Sequence, residues 1–387
     1  MDHPIYLDNH ATTPVDPRVL DAMLPFFLSK FGNAASRSHS FGWEAEKAVD
    51  VARRRVAGLA GATAREIVFT SGATESDNLA IKGALEANRT KGNHLITVAT
   101  EHPAVLDPVR HLEKLGAMAT ILPTDKDGLL DPALLRDAIR PETVLVSVMY
   151  ANNEIGVVQP VREIGAICHE RGVLFHCDAA QAFGKIPIRV DEDHIDLMSL
   201  SAHKLYGPKG IGALYVRRRQ PRVALTAQMD GGGHEFGFRS GTLNVPAIVG
   251  FGEACAVARQ EMSYEAARTA ALRDRLLAQL EAALDGVVVN GSRTSRLPGN
   301  LNVSFSGVQA ETLLLSLPGI ALSTGSACSS ASPEPSHVLK AIDAGPWRSR
   351  SAVRFGIGRF NTSEEIDHVT VRVIESVRRL RSLTPEA

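Results

Sequence analysis

A chain of 387 residues is long enough for two or three domain-sized units with a sizeable core, so it needs no disulfide staples. Its 42 Lys and Arg against 43 Asp and Glu leave a net charge of -1, and no global field draws it to nucleic acid or to anionic lipid. Hydrophobic residues at 44% and charged residues at 22% exclude a disordered, collagen-like or coiled-coil chain. The cysteines, Cys168, Cys177, Cys255 and Cys328, form neither a Cys-x-x-Cys pair nor a close Cys/His ligand set, which points to a reducing compartment and to no structural zinc. The opening Met1-Asp2-His3-Pro4-Ile5-Tyr6 lacks a basic region followed by an apolar run, and the apolar stretch over 245–258 is cut by Glu253. A cytoplasmic protein without a membrane span is expected.

In chain order, the first strong pattern is a helix over 43–59, with Ala45, Ala48, Val49, Ala52 and Val56 on one face and Arg53, Arg54 and Arg55 on the wetter side. Short apolar, β-branched runs then predict strands at 67–70, 95–99, 144–149, 173–177, 197–201 and 211–216. They alternate with amphipathic stretches, as in a parallel sheet covered by helices, and their unbroken apolarity predicts burial on both faces. Asn244, with Pro246 behind it, caps a long helical pattern through 258 that resumes over 272–284, the kind of helix that bridges two domains. Beyond it the alternation weakens. A strand over 300–306, with Leu301, Val303 and Phe305 on one face, predicts a half-exposed sheet in a smaller domain, with the N-terminal segment packed on it.

Three segments at strand ends carry chemistry. Lys204, in Ser201-Ala202-His203-Lys204, is either an ordinary loop lysine or a desolvated amine suited to imine formation. Thr70-Ser71-Gly72-Ala73-Thr74-Glu75-Ser76 is either a plain helix cap or a phosphate cradle at a helix N-terminus; no Gly-Lys-Ser/Thr makes it a Walker loop. Asp178, ending an apolar run, either caps the next helix or balances a cation such as a protonated pyridine nitrogen. An imine-forming lysine, a phosphate cradle and an aspartate for a ring nitrogen are together the requirements of pyridoxal 5'-phosphate (PLP).

The chain also resembles the cysteine desulfurases of the NifS/IscS type, in class V of the PLP-dependent aminotransferases. The likeness rests on Tyr6-Leu7-Asp8-Asn9, Ala11-Thr12-Thr13-Pro14, Phe69 through Ser76, Thr100-Glu101-His102, Asn152 through Gly156, His176 through Gln181, Ser201 through Lys204, Arg239-Ser240-Gly241-Thr242 and Ser326-Ala327-Cys328. It implies an α/β protein of PLP-dependent transferase fold type I. A large domain with a mostly parallel sheet would cover 16–261; a smaller α+β domain would cover 262–387, completed by 1–15 and carrying the catalytic cysteine loop.

By the same resemblance Lys204 holds PLP covalently, Asp178 pairs with the pyridine nitrogen and Gln181 with the ring hydroxyl. Ala73, Thr74, Ser201 and His203 belong to the phosphate site, and Thr242 joins it from across a homodimer interface. His102 stacks on the ring and serves in proton transfer, and Asn153 and Arg354 hold the carboxylate of L-cysteine. Cys328 lies between Ser323-Thr324-Gly325-Ser326-Ala327 and Ser329-Ser330-Ala331-Ser332, small polar flanks that suit an exposed nucleophile; the other three cysteines fall in helix and strand patterns and read as core.

The expected reaction turns L-cysteine into L-alanine and leaves a persulfide on Cys328 for iron–sulfur cluster assembly and other sulfur transfer. Another class V activity, aminotransferase or selenocysteine lyase, would not require the thiol loop, and a silent scaffold would have no physical need of Lys204, His102 and Cys328 together. The sequence stops at Ala387, where some members continue into a tail that docks an iron–sulfur scaffold, so a sulfur acceptor is implied without its identity. Phe236 stands where a basic or polar residue is usual, and Gly345-Pro346-Trp347 is unusual too.

Overall fold

The apolar, β-branched runs condense into one seven-stranded sheet in the order Ile67–Thr70, Gly212–Val216, Leu197–Ser201, Leu174–Asp178, Thr143–Ser147, His94–Val98, Met118–Leu122. In this computed structural model, which describes residues 4–324 and 336–383, Gly212–Val216 runs against both its neighbours and every other pairing in the sheet is parallel. Helices cover the sheet, and five of its strands are buried at every residue, as their unbroken apolarity requires. Met118–Leu122 has no counterpart among the predicted strands. It is an edge strand in which Met118 and Ile121 are exposed and only Leu122 is buried, so no apolar run announces it.

Helix Ser40–Ala60 starts where the His39 ring accepts from the Gly42 N–H, and it stops at Gly61, whose φ of 72° is the left-handed conformation of a helix C-cap. Arg54 and Arg55 are exposed as predicted, but Arg53 is not. Its guanidinium is buried, donating to both carboxylate oxygens of Glu235 at 2.6 Å and to the Ile67 carbonyl at 2.7 Å. Glu235 also accepts from the Phe69 N–H at 2.7 Å. The same arginine flanks Phe236, with Arg218 on that ring at 4.6 Å, so a residue with φ of 60° is held by two cation–π contacts.

The two predicted pieces of the long helix are one, Val245–Ala283, capped by the Asn244 side chain on the Ala247 N–H. Its first half puts Ala247, Phe251, Ala254 and Ala258 into the main core, and its second puts Leu272, Leu276 and Leu280 into a separate one. That second core lies on a three-stranded antiparallel sheet, Ala352–Gly356, Asn300–Phe305, Val287–Val289, under helix Ser363–Leu383. Ile5 and Leu7 belong to it, and Ile5–Tyr6 pairs parallel with Ile320–Ala321.

The face predicted to be half-exposed is closed. Asn300, Asn302 and Ser304 are buried: Asn290 donates to Asn302 and Ser304 at 2.8 Å, and the Asn300 and Asn302 amides donate to the Glu154 carbonyl. Alternation marked which side chains are polar, and the hydrogen bonds that bury them come from the adjacent hairpin strand and from distant chain.

Candidate active site

The C-terminal ends of the parallel strands open onto a cavity of about 480 Å³, the place where parallel α/β sheets bind ligands. Strand Ile67–Thr70 turns through Ser71 and Gly72 into helix Ala73–Ala87, whose N-cap residue makes no side-chain bond to the first turn. Its leading N–H groups are therefore uncapped at the cavity wall, beside Ala73 and Thr74. The turn can sit so close to the sheet because Gly212 lacks a side chain: a Cβ there would lie 2.4 Å from the Leu200 carbonyl and 2.7 Å from the Gly72 Cα. Glu75 ties the turn down, accepting from the Ser71 N–H and pairing with Arg239 at 2.8 Å.

Lys204 follows strand Leu197–Ser201 in a short 3-10 turn, and its Nζ donates to the carbonyls of His10 and Ala11 at 2.6 Å each. Asp178 ends its strand and is buried, with Oδ1 accepting from the Ala180 N–H. Burial raises its pKa, opposed by that N–H and by His102 and Lys204. Gln181 is fixed by the neighbouring His10: its Nε2 donates to the His10 carbonyl at 2.9 Å, and its Oε1 faces the His10 Nδ1 at 2.9 Å and accepts from Lys185. His203 is fixed through its Nδ1 by the Thr12 hydroxyl at 3.0 Å, and burial lowers its pKa to about 4, so it is neutral at pH 7.

His102 caps helix Pro103–Lys114, its Nδ1 accepting from the Ala104 N–H at 3.1 Å. Burial lowers its pKa, so the neutral ring carries its proton on Nε2, the nitrogen the cap leaves over. Arg354, only 2% exposed, comes from the second sheet; it pairs with Asp8 at 2.7 Å and donates to the Asn153 carbonyl at 2.8 Å.

Of the residues singled out in the sequence, Ala73, Thr74, His102, Asn153, Asp178, Gln181, Ser201, His203, Lys204 and Arg354 all line this one cavity. Thr242 does not line it and is exposed. Cys328 lies outside the described residues. The chain on either side ends at the site: Ser323 pairs with Arg354, the Ser336 hydroxyl donates to Glu154, and His337 Nε2 bonds to the Glu101 carbonyl at 2.8 Å. Cys168, Cys177 and Cys255 are wholly buried, and burial pushes each thiol up, away from the reactive thiolate. His10, Thr12, Asp8, Lys185 and Asp77 complete the site without having been singled out. The first three sit in or between the quoted N-terminal segments, and the sequence held that one signal for them.

This donor set suits PLP. The uncapped helix N-terminus and neutral His203 offer hydrogen bonds to a phosphate, Lys204 offers a primary amine to an aldehyde, and the buried Asp178 needs a cation that a protonated ring nitrogen provides.

Residues 5–369 match the class-V aminotransferase family. The cysteine desulfurase IscS of Anaeromyxobacter sp. (strain Fw109-5) is 60% identical over 385 residues, covering 100% of this chain and 95% of its own. That of Rickettsia rickettsii (strain Iowa) is 54% identical, with 99% and 93% covered. Among solved structures, a NifS-like protein superposes with a TM-score of 0.90 at 36% identity, covering 97% of this chain and 100% of its own. SspA in complex with cysteine superposes with a TM-score of 0.80 at 38% identity, covering 92% and 100%.

Proposed function

The chain belongs to the class-V aminotransferases and, within them, to the PLP-dependent cysteine desulfurases, and on that footing we propose how its own residues divide the conversion of L-cysteine to L-alanine. The observation that carries the assignment is that an amine, a buried carboxyl, an uncapped helix N-terminus and a carboxylate-binding arginine, drawn from separate stretches of sequence, meet in one cavity. When bound, PLP supplies a carbonyl for the substrate amine and a conjugated ring that accepts electrons from the substrate's Cα.

Lys204 would anchor the cofactor and, as a free amine, would take the Cα proton at Nζ. Asp178 holds the ring nitrogen's charge. Arg354 and the Asn153 segment seat the substrate carboxylate, Asp8 keeping the guanidinium oriented. His102 exchanges a proton at Nε2. Cys328, as thiolate, attacks the substrate sulfur; an S–S bond forms, the Cβ–S bond breaks, and its electron pair, left on carbon, takes a proton to give alanine.

The sulfur then passes to an acceptor protein, for iron–sulfur cluster assembly and other sulfur transfer; the relatives' name IscS supports this. Exposed Thr242, outside its own chain's cavity, supports a homodimer in which it completes the partner's phosphate site. The two cores along Val245–Ala283 support the division into 16–261 and 262–387 with 1–15. No helix among the described residues is long and apolar enough to cross a membrane; we place the protein in the cytoplasm.

Mass spectrometry of the protein after L-cysteine addition tests this reading. It predicts one added sulfur on the Cys328 peptide, and none in Cys328→Ser, which still binds PLP. Alanine formed at the wild-type rate by that variant would overturn it.

A further inference from the structure

Under the cavity floor, between the sheet and helix Ala73–Ala87, lies a row of buried polar groups to which the chemistry above gives no role. Ser147 Oγ is 2.8 Å from His176 Nδ1, His176 Nε2 is 3.0 Å from Ser199 Oγ, and the same nitrogen is 3.6 Å from Asp77 Oδ1. Ser147, His176 and Ser199 come from three adjacent strands, and Asp77 from the helix that begins at the phosphate cradle. Asp77 and His176 have no exposed surface, Asp77 lines the cavity, and neither of its carboxyl oxygens makes a hydrogen bond of ordinary geometry.

An ionised Asp77 would have nothing to balance it. The titratable groups that face it are His176, Cys177 and Asp178 of strand Leu174–Asp178 and Glu101 beyond strand His94–Val98. His176 is held neutral by burial, the Cys177 thiol is pushed up, and two of the four are carboxyls. The Lys204 ammonium acts on Asp178, and among the described residues no cation acts on Asp77. A carboxyl in such surroundings keeps its proton.

We propose that Asp77 is a positioning residue for Asp178: a neutral carboxylic acid, backed by Ser199, His176 and Ser147, that confines the negative charge of the cavity floor to the one carboxylate facing the ring nitrogen. Two anions there would compete for a single ring proton. With Asp77 neutral, the proton has one partner. The inference rests on the reading of Asp178 given above.

Asp77→Asn keeps the shape and fixes the neutral state. The folded protein binds the Asp77 proton more tightly than the unfolded chain does, so this residue favours folding at low pH, and the contribution is lost as pH rises through its raised pKa. In thermal melts of the PLP-free protein from pH 5 to 9, the Tm of Asp77→Asn relative to wild type should therefore climb with pH. A gap that does not vary with pH overturns the proposal.

In the PLP-loaded protein, Asp77→Asn should hold PLP within about threefold of the wild-type Kd and leave the midpoint of the cofactor's absorbance titration within about 0.3 pH units, whereas Asp178→Asn should loosen PLP roughly tenfold or more. If Asp77→Asn itself loosens PLP tenfold, or moves that midpoint, Asp77 is an anion facing the ring and the proposal is wrong. If instead Asp178→Asn changes neither quantity, the reading of Asp178 fails, while the melts of the PLP-free protein still decide the state of Asp77.

Discussion

The floor and the rim of the cavity treat charge in opposite ways. On the floor Asp77, Glu101, Asp178 and His176 are buried, and burial pushes each toward its neutral form. On the rim the carboxylates keep some exposure and pairing wins. Burial of Glu75 would raise its pKa, yet bonds from Arg239 and Ser71 hold it below the ordinary carboxyl range, and Asp8 meets Arg354 at 2.7 Å. Desolvation rises steeply with depth, whereas a guanidinium–carboxylate pair keeps much of its attraction where water still reaches it. With Asp178 as the proposed partner of the ring nitrogen and Arg354 as the proposed seat of the substrate carboxylate, such a floor would present one charge to a ring and such a rim would keep fixed charges for a substrate that comes and goes.

Lys204→Ala removes the amine where floor and rim meet and carries the largest expected effect: alanine production falls roughly 10²–10⁴-fold or more with loss of both anchor and base, measured under saturating PLP. Next is Arg53→Met, away from the cavity, which strands Glu235 in the core. Breaking one partner of a buried pair costs about 3–5 kcal/mol, read as a lowered urea midpoint, and Arg53→Met with Glu235→Gln should recover part of it. A single variant as stable as wild type would show that Glu235 does not need the charge.

The floor predicts an acid limb. Burial lowers the His176 pKa from 6.5 to about 3, so the unfolded chain takes up a proton that the fold refuses. The stability it contributes is complete above about pH 6.5 and is lost as pH falls from there toward 3. His176→Asn should therefore lose less Tm than wild type over that window; an identical acid limb would show that His176 does not govern it. Smallest is Asp8→Asn on the rim, which loosens Arg354 without touching the reacting atoms. KM for L-cysteine should rise about threefold to tenfold with kcat within about twofold, the split expected for lost ground-state seating. A fall in kcat alone would place Asp8 in the chemistry.

Much of this site was legible because its parts fall at strand ends, where an apolar run stops and a Lys, Asp or small-residue turn begins. The second sheet was legible in outline only: Asn300, Asn302 and Ser304 read as a wet face, and the groups that bury them are Asn290, across the adjacent hairpin, and the Glu154 carbonyl, in distant chain. Met118–Leu122 was missed because an exposed edge needs no apolar pattern, and Ile5–Tyr6 because two residues carry none. Arg53 sat in a run of three arginines that helical spacing alone could not divide. Asp77 did leave a trace, since it stands in register with Ala80, Ile81 and Ala84 on the buried face of its helix, and a carboxyl in an apolar stripe asks for a reason. Lys185 left none, because it acts through Gln181, a contact that only the fold creates, and His10 left only its place between two quoted segments.

Three lysines lie near enough to be rivals for the cofactor: Lys204 and Lys209 line the cavity, and Lys185 bonds to Gln181 behind it. Borohydride reduction of the PLP-loaded protein, followed by digestion and peptide mass mapping, decides among them. A pyridoxyl mass on the peptide bearing Lys204 is the predicted result; the same mass on Lys185 or Lys209, or on no lysine, would contradict the assignment.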